Sequence, residues 1–510
     1  MAEYVSHPWI NAGTIEKRSY QDHIANAARQ GNLLCVLPTG MGKTQVAALV
    51  AAERLQKNMN AKILFMAPTK PLVDQHRNSF ERMLKIGEDE LKTVTGSDKP
   101  EDRKELYQKA DIVFSTPQTI ENDVKEGVLS LRNFSLIIFD EAHRCVGNYA
   151  YTYIAKRYMD QAADPLILAL TASPGSHHEG IQNVKRNLFI DLVEIRTRDD
   201  EDVKQYVQKL EQDYISVELP KPIRSIIDSL SAVKNERIRK LMSWRIINYS
   251  KINKTQILKL QQDLSKKKTG INMAAISVLA EVLKTDHALA LAETQCLASL
   301  QSYFSKLESE KEKTRAAARM LNDKNFQDAI RATNDLVAKG TEHPKMEKLK
   351  SIVEEQLESD KYSRIIVFAQ FRDTIAEIAR QLGALKAAAP IEFIGQAKKK
   401  GKGLSQKEQG QILNEFKMGF YNVLCASQVA EEGLDVVETN LVIFYEPTPS
   451  AIRKIQRTGR TARTQTGKVI VLIAKGTRDE AYHWSAHNKE RKMTSTLYAM
   501  QKQRSLSGVR

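Results

Sequence analysis

The chain has 510 residues, of which 42% are hydrophobic and 27% are charged, a composition that excludes a mainly disordered protein. Lys and Arg number 77 against 62 Asp and Glu, a net charge of +15, which favours a polyanionic partner over acidic proteins or anionic lipid. No apolar run reaches the ~18 residues of a membrane-spanning helix, and the N-terminus lacks the pattern of a secretory signal. We therefore predict a cytoplasmic protein of roughly three domains.

Four cysteines lie far apart in the chain and form no CxxC pair. They are Cys35, Cys145, Cys296 and Cys425. This spacing excludes zinc and disulfide scaffolds and predicts reduced thiols.

Short apolar runs alternate with helix-compatible segments in the first 196 residues. These runs begin at Leu33, Ile63, Ile112, Leu136 and Leu166. The alternation is typical of βαβ units and predicts a parallel sheet flanked by helices. A second series predicts a similar sheet near the other end of the chain. Its runs begin at Ile365, Val423, Leu441 and Val469.

The block between the two series has a different composition. Proline is absent from residues 223 to 343, and Gly270 is the only glycine in residues 181 to 339, so we predict mostly helix. Residues 201 to 340 carry 24 Lys and Arg against 17 Asp and Glu, a net charge of +7. The basic clusters form either solvated helix faces or a surface that grips duplex nucleic acid.

A glycine-bearing loop follows the first predicted strand and leads into helix-forming residues. The loop comprises Pro38, Thr39, Gly40, Met41, Gly42, Lys43 and Thr44. Its glycines permit a tight turn that directs backbone N–H groups at phosphate oxygens, at the positive end of the next helix. We predict that Lys43 binds the β- and γ-phosphates of a nucleotide and that Thr44 binds Mg²⁺. Leu37 stands where the strict pattern has its first glycine, so the loop is a variant.

Two adjacent acids, Asp140 and Glu141, follow a buried predicted strand. The carboxyl end of such a strand lies beside the phosphate loop at the same edge of the sheet. We predict that Asp140 holds the Mg²⁺ shell, and that Glu141 orients the attacking water or accepts its proton. The alternative role for Asp140 is to cap the next helix.

The loop and the sequence from Asp140 to His143 resemble motifs I and II of the superfamily two helicases and translocases, in which two RecA-like domains close on ATP. The resemblance implies that Arg18 and Gln21 bind adenine. It also implies a track for the phosphates of one nucleic-acid strand, formed by Thr69, Lys70, Thr95, Gly96, Thr116, Gln118 and Ser427. The residues implied to couple the nucleotide to this track are His143, Thr171 and Ser173.

The second half of the chain resembles the later helicase motifs. Gly433 and Asp435 match motif V and are implied to bind the nucleotide. Gln456, Arg460 and Arg463 match motif VI and are implied to be catalytic. The two arginines are three residues apart, so on a helix they share one face, and an arginine delivered across an interface raises the hydrolysis rate by roughly 10³ to 10⁵.

Longer phrases favour one branch of the superfamily. They include MAPTKPLV from Met66, FDEAHRCVGNYAY from Phe139 and FYEPTPSAIRKIQRTGRTAR from Phe444. These resemble the helicase part of the archaeal Hef family, which is related to Fanconi-anaemia M translocases and more distantly to Dicer and viral-RNA sensors. In that family a thumb-like helical insertion grips branched duplex. The XPF-type nuclease of Hef, marked by ERKxxxD, is not expected, because Thr496 replaces its aspartate and only 18 residues follow Lys492.

The expected fold class is therefore α/β, with two RecA-like parallel-sheet domains and a helical thumb-like insertion between them. The predicted ranges are 1–203 for RecA-like domain 1, 204–340 for the insertion, 341–495 for RecA-like domain 2 and 496–510 for a mobile basic tail. Whether the chain is part of a longer protein or a helicase-only form is left open.

The resemblance implies an ATP- and Mg²⁺-dependent DNA helicase that acts on stalled forks and Holliday-type junctions in replication repair. Its expected location is the nucleoid, and a sliding clamp or a separate nuclease is a further expected partner. Two alternatives remain: a double-stranded-RNA-dependent ATPase of the Dicer-like branch, and a catalytically silent DNA-binding scaffold. Turnover assays with different nucleic acids separate them.

Overall fold

A computed structural model describes most of the chain. The described residues are 3–38, 40–57, 61–172, 178–197, 200–206, 211–267, 269–309, 314–395, 404–427, 439–447 and 468–507. They form two α/β lobes and a helical bundle that lies between them in the sequence, which confirms the predicted fold class. Within these residues, no helix combines the length and the hydropathy needed to cross a membrane.

The first lobe contains a parallel sheet of seven strands in the order β3-β4-β2-β5-β6-β1-β7. The strands are β1 (Leu33–Val36), β2 (Lys62–Met66), β3 (Leu91–Val94), β4 (Ile112–Ser115), β5 (Phe134–Phe139), β6 (Ile167–Thr171) and β7 (Leu192–Ile195). Alternate residues face opposite sides, so Leu33 and Cys35 join one hydrophobic layer, whereas Leu34 and Val36 join the other. Burial on both faces accounts for the near-continuous apolar character of the strands.

Helices cover both faces of this sheet. They are α1 (Ser19–Ala28), α2 (Lys43–Lys57), α3 (Lys70–Met83), α4 (Pro100–Lys109), α5 (Pro117–Lys125), α6 (Ala150–Gln161), α7 (His178–Asn187) and α8 (Glu201–Lys204), with a 3₁₀ turn at Ala142–Arg144. Proline stands in the first turn of α3, α4 and α5, where its fixed φ favours a helix start and no N–H bond is lost. Because the strands are parallel, all the strand-to-helix loops lie at the carboxyl ends of the strands, on one side of the sheet.

The second lobe contains a six-stranded parallel sheet in the order β10-β11-β9-β12-β13-β8. Its strands are β8 (Glu211–Val217), β9 (Ile365–Phe368), β10 (Pro390–Phe393), β11 (Val423–Ala426), β12 (Leu441–Phe444) and β13 (Lys468–Ala474). The helices of this lobe are α15 (Pro344–Ser359), α16 (Arg372–Leu382), α17 (Gln406–Met418) and α18 (Arg478–Ser507).

The helical bundle lies between β8 and α15 in the chain. Its helices are α9 (Lys221–Ser243), α10 (Lys254–Ser265), α11 (Gly270–Thr294), α12 (Leu297–Ser309), α13 (Arg315–Leu321) and α14 (Lys324–Ala338). A buried ionic network holds α9, α11 and the start of α14 together, because Arg237 bonds Glu281 at 2.8 Å and Asp323 at 2.9 Å. The predicted helical character of this block is confirmed.

The boundary predicted for the insertion at residue 204 is too early. Residues 211–217 form β8, which pairs in parallel with β13 along its whole length, from Glu211 opposite Lys468 to Val217 opposite Ala474. The second sheet therefore takes its edge strand from the chain that precedes the helical bundle. The polar residues of this half-exposed edge strand hid it from a reading that relied on buried apolar runs.

The prediction of a mobile tail at residues 496–510 is also wrong for its described part. Helix α18 continues to Ser507, and Leu497 is fully buried in a core cluster of the first lobe. The hydroxyl of Tyr498 donates to the carboxylate of Asp200 at 2.7 Å. These contacts with the first lobe stabilise the end of the helix. No local feature of the sequence predicts them.

Candidate nucleotide and nucleic-acid site

The phosphate loop between β1 and α2 contains two glycines with a left-handed backbone conformation. Gly40 and Gly42 both have a φ of +85°, which favours glycine over other residues. A Cβ atom at Gly42 would also lie 2.1 Å from Nε2 of Gln21, so the Gln21 side chain would have to shift. The ammonium of Lys43 donates to the carbonyl oxygen of Leu37 at 3.0 Å. The side chain of Lys43 therefore folds back onto the loop that is predicted to bind phosphate.

Helix α1 packs its first turn against this loop. The hydroxyl of Tyr20 donates to the carbonyl oxygen of Met41 at 2.9 Å, and Nε2 of Gln21 lies 3.3 Å from the same oxygen. Tyr20 is fully buried and Gln21 is 2% exposed. The residue predicted to read adenine is therefore bonded directly to the phosphate loop.

Arg18 precedes α1 and lies among polar and aromatic groups. Its guanidinium donates to Glu16 at 2.7 Å and to the hydroxyl of Tyr20 at 3.3 Å. The guanidinium carbon also lies 5.2 Å from the centre of the Tyr206 ring, within the range of a cation–π contact. Tyr206 is thus a neighbour of the predicted base site that the sequence motifs did not indicate.

Asp140 and Thr44 meet at one imidazole. Nε2 of His76 lies 3.0 Å from Oδ2 of Asp140, and Nδ1 lies 3.4 Å from Oγ1 of Thr44. The hydroxyl of Tyr151 donates to the carbonyl oxygen of Asp140 at 2.7 Å and holds its backbone. Asp140 is 4% exposed. Its carboxylate and its backbone carbonyl both have hydrogen-bond partners.

These two side chains fit Mg²⁺. Among the described residues, no group of three or more His, Cys, Asp and Glu side chains is placed to hold a metal ion. Mg²⁺ in nucleotide sites takes only one or two protein oxygens and completes its shell with water and phosphate. The hydroxyl of Thr44 and the carboxylate of Asp140 are oxygen donors of this kind, on either side of His76.

Glu141 has a left-handed backbone conformation, with φ +50° and ψ +47°, which costs a residue other than glycine about 1–3 kcal/mol. Its carboxylate lies 3.1 Å from Nδ1 of His143, which in turn lies 3.1 Å from Oγ1 of Thr171. Burial opposes ionisation of Glu141, but the hydrogen bond and charge of His143, with Lys43 and Arg144, hold the pKa of its carboxyl below the ordinary value. An ionised Glu141 is able to orient water or accept a proton.

The predicted phosphate track of the first lobe follows three neighbouring strands, β3, β4 and β2. Thr69 and Lys70 follow β2, Thr95 and Gly96 follow β3, and Thr116 and Gln118 follow β4. Because the strands are parallel, these residues lie at the carboxyl ends of the strands, as the phosphate loop does. Gly96, Gln118 and Lys70 are exposed.

Two members of the track already have internal partners. The backbone N–H and the hydroxyl of Thr95 lie 2.8 and 2.9 Å from Oδ2 of Asp98, and the Thr116 hydroxyl lies 3.0 Å from that of Thr119. Ser427, after β11, is 8% exposed, and its hydroxyl has no hydrogen-bond partner among the described residues.

Several predicted site residues lie outside the described part of the chain. They are Thr39, Ser173, Gly433, Asp435, Gln456, Arg460 and Arg463. The roles assigned to them remain predictions. The other predicted residues of the first lobe form two groups near the carboxyl ends of its strands. One group surrounds the phosphate loop, and the other is the phosphate track. Ser427 follows β11 of the second lobe.

His76 is the main residue that the sequence analysis missed. It lies on the buried face of α3 with Val73, Phe80 and Met83, a spacing that marks the inward side of a helix. A histidine on the inward side of the helix that begins at Lys70, next to the predicted phosphate track, is the signal that was available. Tyr206 had no comparable signal, because it precedes the strand β8 that was not predicted.

Family models match three consecutive parts of the chain. A DEAD/DEAH box helicase model matches residues 18–180, and a helicase conserved C-terminal domain model matches residues 344–465. Residues 219–339 match a helical-bundle model described as that of a putative ATP-dependent RNA helicase. The three matches follow the two lobes and the bundle between them.

Similar proteins match over almost the whole chain. A putative ATP-dependent RNA helicase of Methanocaldococcus jannaschii is 42% identical over 98% of the chain and 63% of its own length. The ATP-dependent DNA helicase fml1 of Schizosaccharomyces pombe is 34% identical over 93% of the chain and 59% of its own length. The Fanconi anemia group M protein homolog of Mus musculus is 31% identical over 94% of the chain and 26% of its own length. The chain thus spans about 60% of the length of the first two.

A solved structure matches the fold. The crystal structure of the Hef helicase domain from Pyrococcus furiosus superposes with a TM-score of 0.73 and is 42% identical. The match covers 92% of this chain and 98% of that one.

Proposed function

This chain belongs to the Hef family of superfamily two helicases, and on that premise we propose that it is an ATP-dependent DNA helicase or translocase acting on branched DNA. Forks and Holliday-type junctions in replication repair are the proposed substrates. The observation that carries the proposal is the sheet edge of the first lobe. There His76 contacts both Thr44 and Asp140, Lys43 is close enough to Glu141 to favour its ionisation, and a row of polar residues follows the neighbouring strands.

In the proposed reaction the first lobe binds and orients ATP. Gln21 and Arg18 bind adenine, while the loop N–H groups and Lys43 bind the phosphates. Lys43 exchanges its bond with the carbonyl of Leu37 for phosphate oxygens. Glu141, kept ionised by His143, orients the attacking water or accepts its proton.

Thr44 and Asp140 are proposed to hold Mg²⁺ together with the phosphates. When bound, this ion neutralises the charge that develops on the transferred phosphoryl group. The side chains are already close to each other because both contact His76.

Completion of the site is assigned to the second lobe. Gln456, Arg460 and Arg463 are proposed to face the γ-phosphate when the lobes close, with Gly433 and Asp435 beside the nucleotide. Such arginines raise the rate by roughly 10³ to 10⁵. ATP then stabilises the closed form and hydrolysis releases it, so that the lobes alternate between two arrangements.

The proposed track binds the sugar-phosphate backbone of one DNA strand and does not read its sequence. Thr69, Lys70, Thr95, Gly96 and Gln118 contribute N–H, hydroxyl and ammonium groups. For Thr95, phosphate binding requires that a phosphate oxygen replace the carboxylate of Asp98. His143, Thr171 and Ser173 are proposed to couple this track to hydrolysis, and the contact between His143 and Thr171 supports that role.

The choice of DNA rests on relatives that match 93–95% of the chain, several of which are named ATP-dependent DNA helicases. Duplex RNA is the second candidate, favoured by the relative of Methanocaldococcus jannaschii that is named an RNA helicase. A location at the nucleoid follows from the proposed substrate, and a sliding clamp or a separate nuclease is the proposed partner.

The experiment compares ATP turnover by the wild-type chain and by Lys43→Ala with forked DNA, linear duplex DNA and duplex RNA. Forked DNA is expected to stimulate the wild type most, and the variant is expected to bind DNA in a salt-sensitive way without turnover. Wild-type turnover in the variant contradicts the proposed site. Greater stimulation by duplex RNA favours the second candidate, and no turnover with any nucleic acid favours a silent scaffold.

A further inference from the structure

His76 connects two parts of the site that the helicase motifs treat separately. It projects from α3 into the space between the phosphate loop and the end of β5, where it is 7% exposed. Its ring packs on Phe65, with ring centres 4.5 Å apart. The contacts with Asp140 and Thr44 come from opposite nitrogens of the ring.

The hydrogen-bonding chemistry assigns the proton on this ring. An ionised carboxylate only accepts hydrogen bonds, so Nε2 carries the hydrogen that is donated to Asp140. A ring whose single hydrogen is on Nε2 has an acceptor at Nδ1, for which the hydroxyl of Thr44 is a donor. This arrangement leaves oxygen lone pairs of Thr44 unused by the contact, as a metal ligand requires.

We propose that His76 is a positioning residue that holds Asp140 and Thr44 in the geometry needed for Mg²⁺. The inference rests on the proposed ATPase function and extends it to a residue outside the helicase motifs. Carboxylate ligands of metals are commonly fixed by outer hydrogen-bond partners, whose loss costs about 10- to 100-fold in metal affinity or activity. Phe65 and the buried face of α3 fix the imidazole in turn.

The position of His76 in α3 adds a second consequence. This helix begins at Lys70, and Thr69 is its N-cap residue, so the proposed DNA-contacting residues and His76 belong to one rigid element. Six residues along an α-helix span about 9 Å. If binding of DNA phosphate displaces the N-terminus of α3, the displacement is transmitted to Asp140 through the imidazole, and we expect DNA and Mg²⁺-nucleotide to affect each other's binding.

The test uses ADP as the probe and measures its Kd in EDTA and in Mg²⁺ for the whole chain. His76→Leu removes the hydrogen-bonding groups while keeping an apolar side chain of similar size. His76→Gln keeps an N–H donor for Asp140. We expect the gain in ADP affinity from Mg²⁺ to fall about tenfold or more in His76→Leu and to recover in His76→Gln.

A purely structural role for His76 gives a different result, because it weakens ADP binding equally in EDTA and in Mg²⁺. That outcome overturns the inference, as does a wild-type chain whose ADP affinity is the same in both buffers. Val73→Ala is the matched control, since Val73 is 1% exposed on the same buried face of α3 and packs in an apolar core cluster of the first lobe. This variant is expected to keep the wild-type ratio of the two Kd values.

Forked DNA provides the second readout. It is expected to change the Kd of ADP with Mg²⁺ in the wild type and to change it less in His76→Leu. An equal change in both proteins overturns the coupling through α3. If Lys43→Ala lacks turnover while His76→Leu keeps the wild-type ratio, the proposed function stands and the role of His76 alone is wrong.

Discussion

The guanidinium carbon of Arg18 lies 5.2 Å from the ring centre of Tyr206, at the point where the chain leaves the first lobe for the second sheet. Only residues 207 to 210 separate Tyr206 from β8. The proposed adenine-binding arginine is thus supported by the residue that precedes the link between the lobes.

Tyr206→Ala is therefore expected to weaken ADP binding. Loss of a cation–π contact of about 0.5–1 kcal/mol corresponds to about a twofold to fivefold increase in Kd. Tyr206→Phe keeps the ring and is expected to bind ADP as the wild type does. Pyrophosphate, which has no base, is expected to bind both variants equally. Tyr249→Ala, in the helical bundle, is the control, and an equal loss of pyrophosphate affinity in Tyr206→Ala contradicts the role of Tyr206 at the base.

A buried ion pair joins α15 to the start of α18. Nζ of Lys345 lies 2.8 Å from Oδ2 of Asp479, and both side chains are almost fully buried. Lys345→Met leaves the carboxylate unpaired and is expected to cost about 3–5 kcal/mol of stability, measured as a lower midpoint of urea unfolding. The double variant with Asp479→Leu is expected to recover much of this loss.

The control for the buried pair is Lys109→Met, which removes one partner of the exposed pair between Lys109 and Glu105 in α4. An exposed pair contributes about 0–1 kcal/mol. Equal destabilisation by Lys109→Met and Lys345→Met contradicts the account of the buried pair.

His343 makes the stability of the second lobe depend on pH. Burial, followed by the charge of Lys345, lowers the pKa of its imidazole to about 3, whereas an unfolded histidine has a pKa of about 6.5. The unfolded chain therefore binds more protons between these values, so this contribution to stability is complete above about pH 6.5 and is lost as the pH falls toward 3.

His343→Gln is accordingly expected to reduce the loss of stability between pH 6.5 and 4, measured as unfolding midpoints across that range. The exposed His23 provides the control variant His23→Gln, which is expected to keep the wild-type slope. The same slope in both variants contradicts the buried, neutral state of His343.

The end of α18 is expected to be attached to the first lobe. Leu497→Asp places a charge in the core cluster that Leu497 joins and is expected to speed amide hydrogen exchange in residues 494–507. Exchange in β1 and β5 is expected to stay slow. Trp484→Ala, at a 60% exposed position of the same helix, is expected to leave both rates unchanged, and equally fast exchange in wild type and Leu497→Asp contradicts the attachment.

The sequence predicted the strands that are buried on both faces and missed the four strands at the lateral edges of the sheets, β3, β7, β8 and β10. The apolar runs of β1, β2, β5 and β6 mark the sheet centre directly. By contrast β3, with Lys92 and Thr93 only half-buried, and the edge strand β8 contain too many polar residues to be recognised without their partners. All four cysteines are free and buried in the structure.

The candidate site shows the same division. Glycines and strand ends in the sequence predicted that Lys43, Thr44, Asp140 and Glu141 lie together. In a parallel sheet the carboxyl ends of neighbouring strands lie side by side. The spacing in α3 marks His76 as inward-facing, but its contacts with Asp140 and Thr44 depend on how α3 packs, and those of Tyr206 depend on how the segment after α8 packs.

The central claim is tested most directly by ATP-driven unwinding of a forked DNA, measured for the wild type and for Glu141→Gln. Glu141→Gln keeps the size of the side chain but removes the carboxylate that is proposed to act on water. We predict that the wild type separates the strands only when ATP and Mg²⁺ are present. The variant is predicted to bind ATP and the forked DNA without separating the DNA strands. Unwinding by Glu141→Gln at the wild-type rate, or a wild type that separates no fork with ATP, would contradict the account.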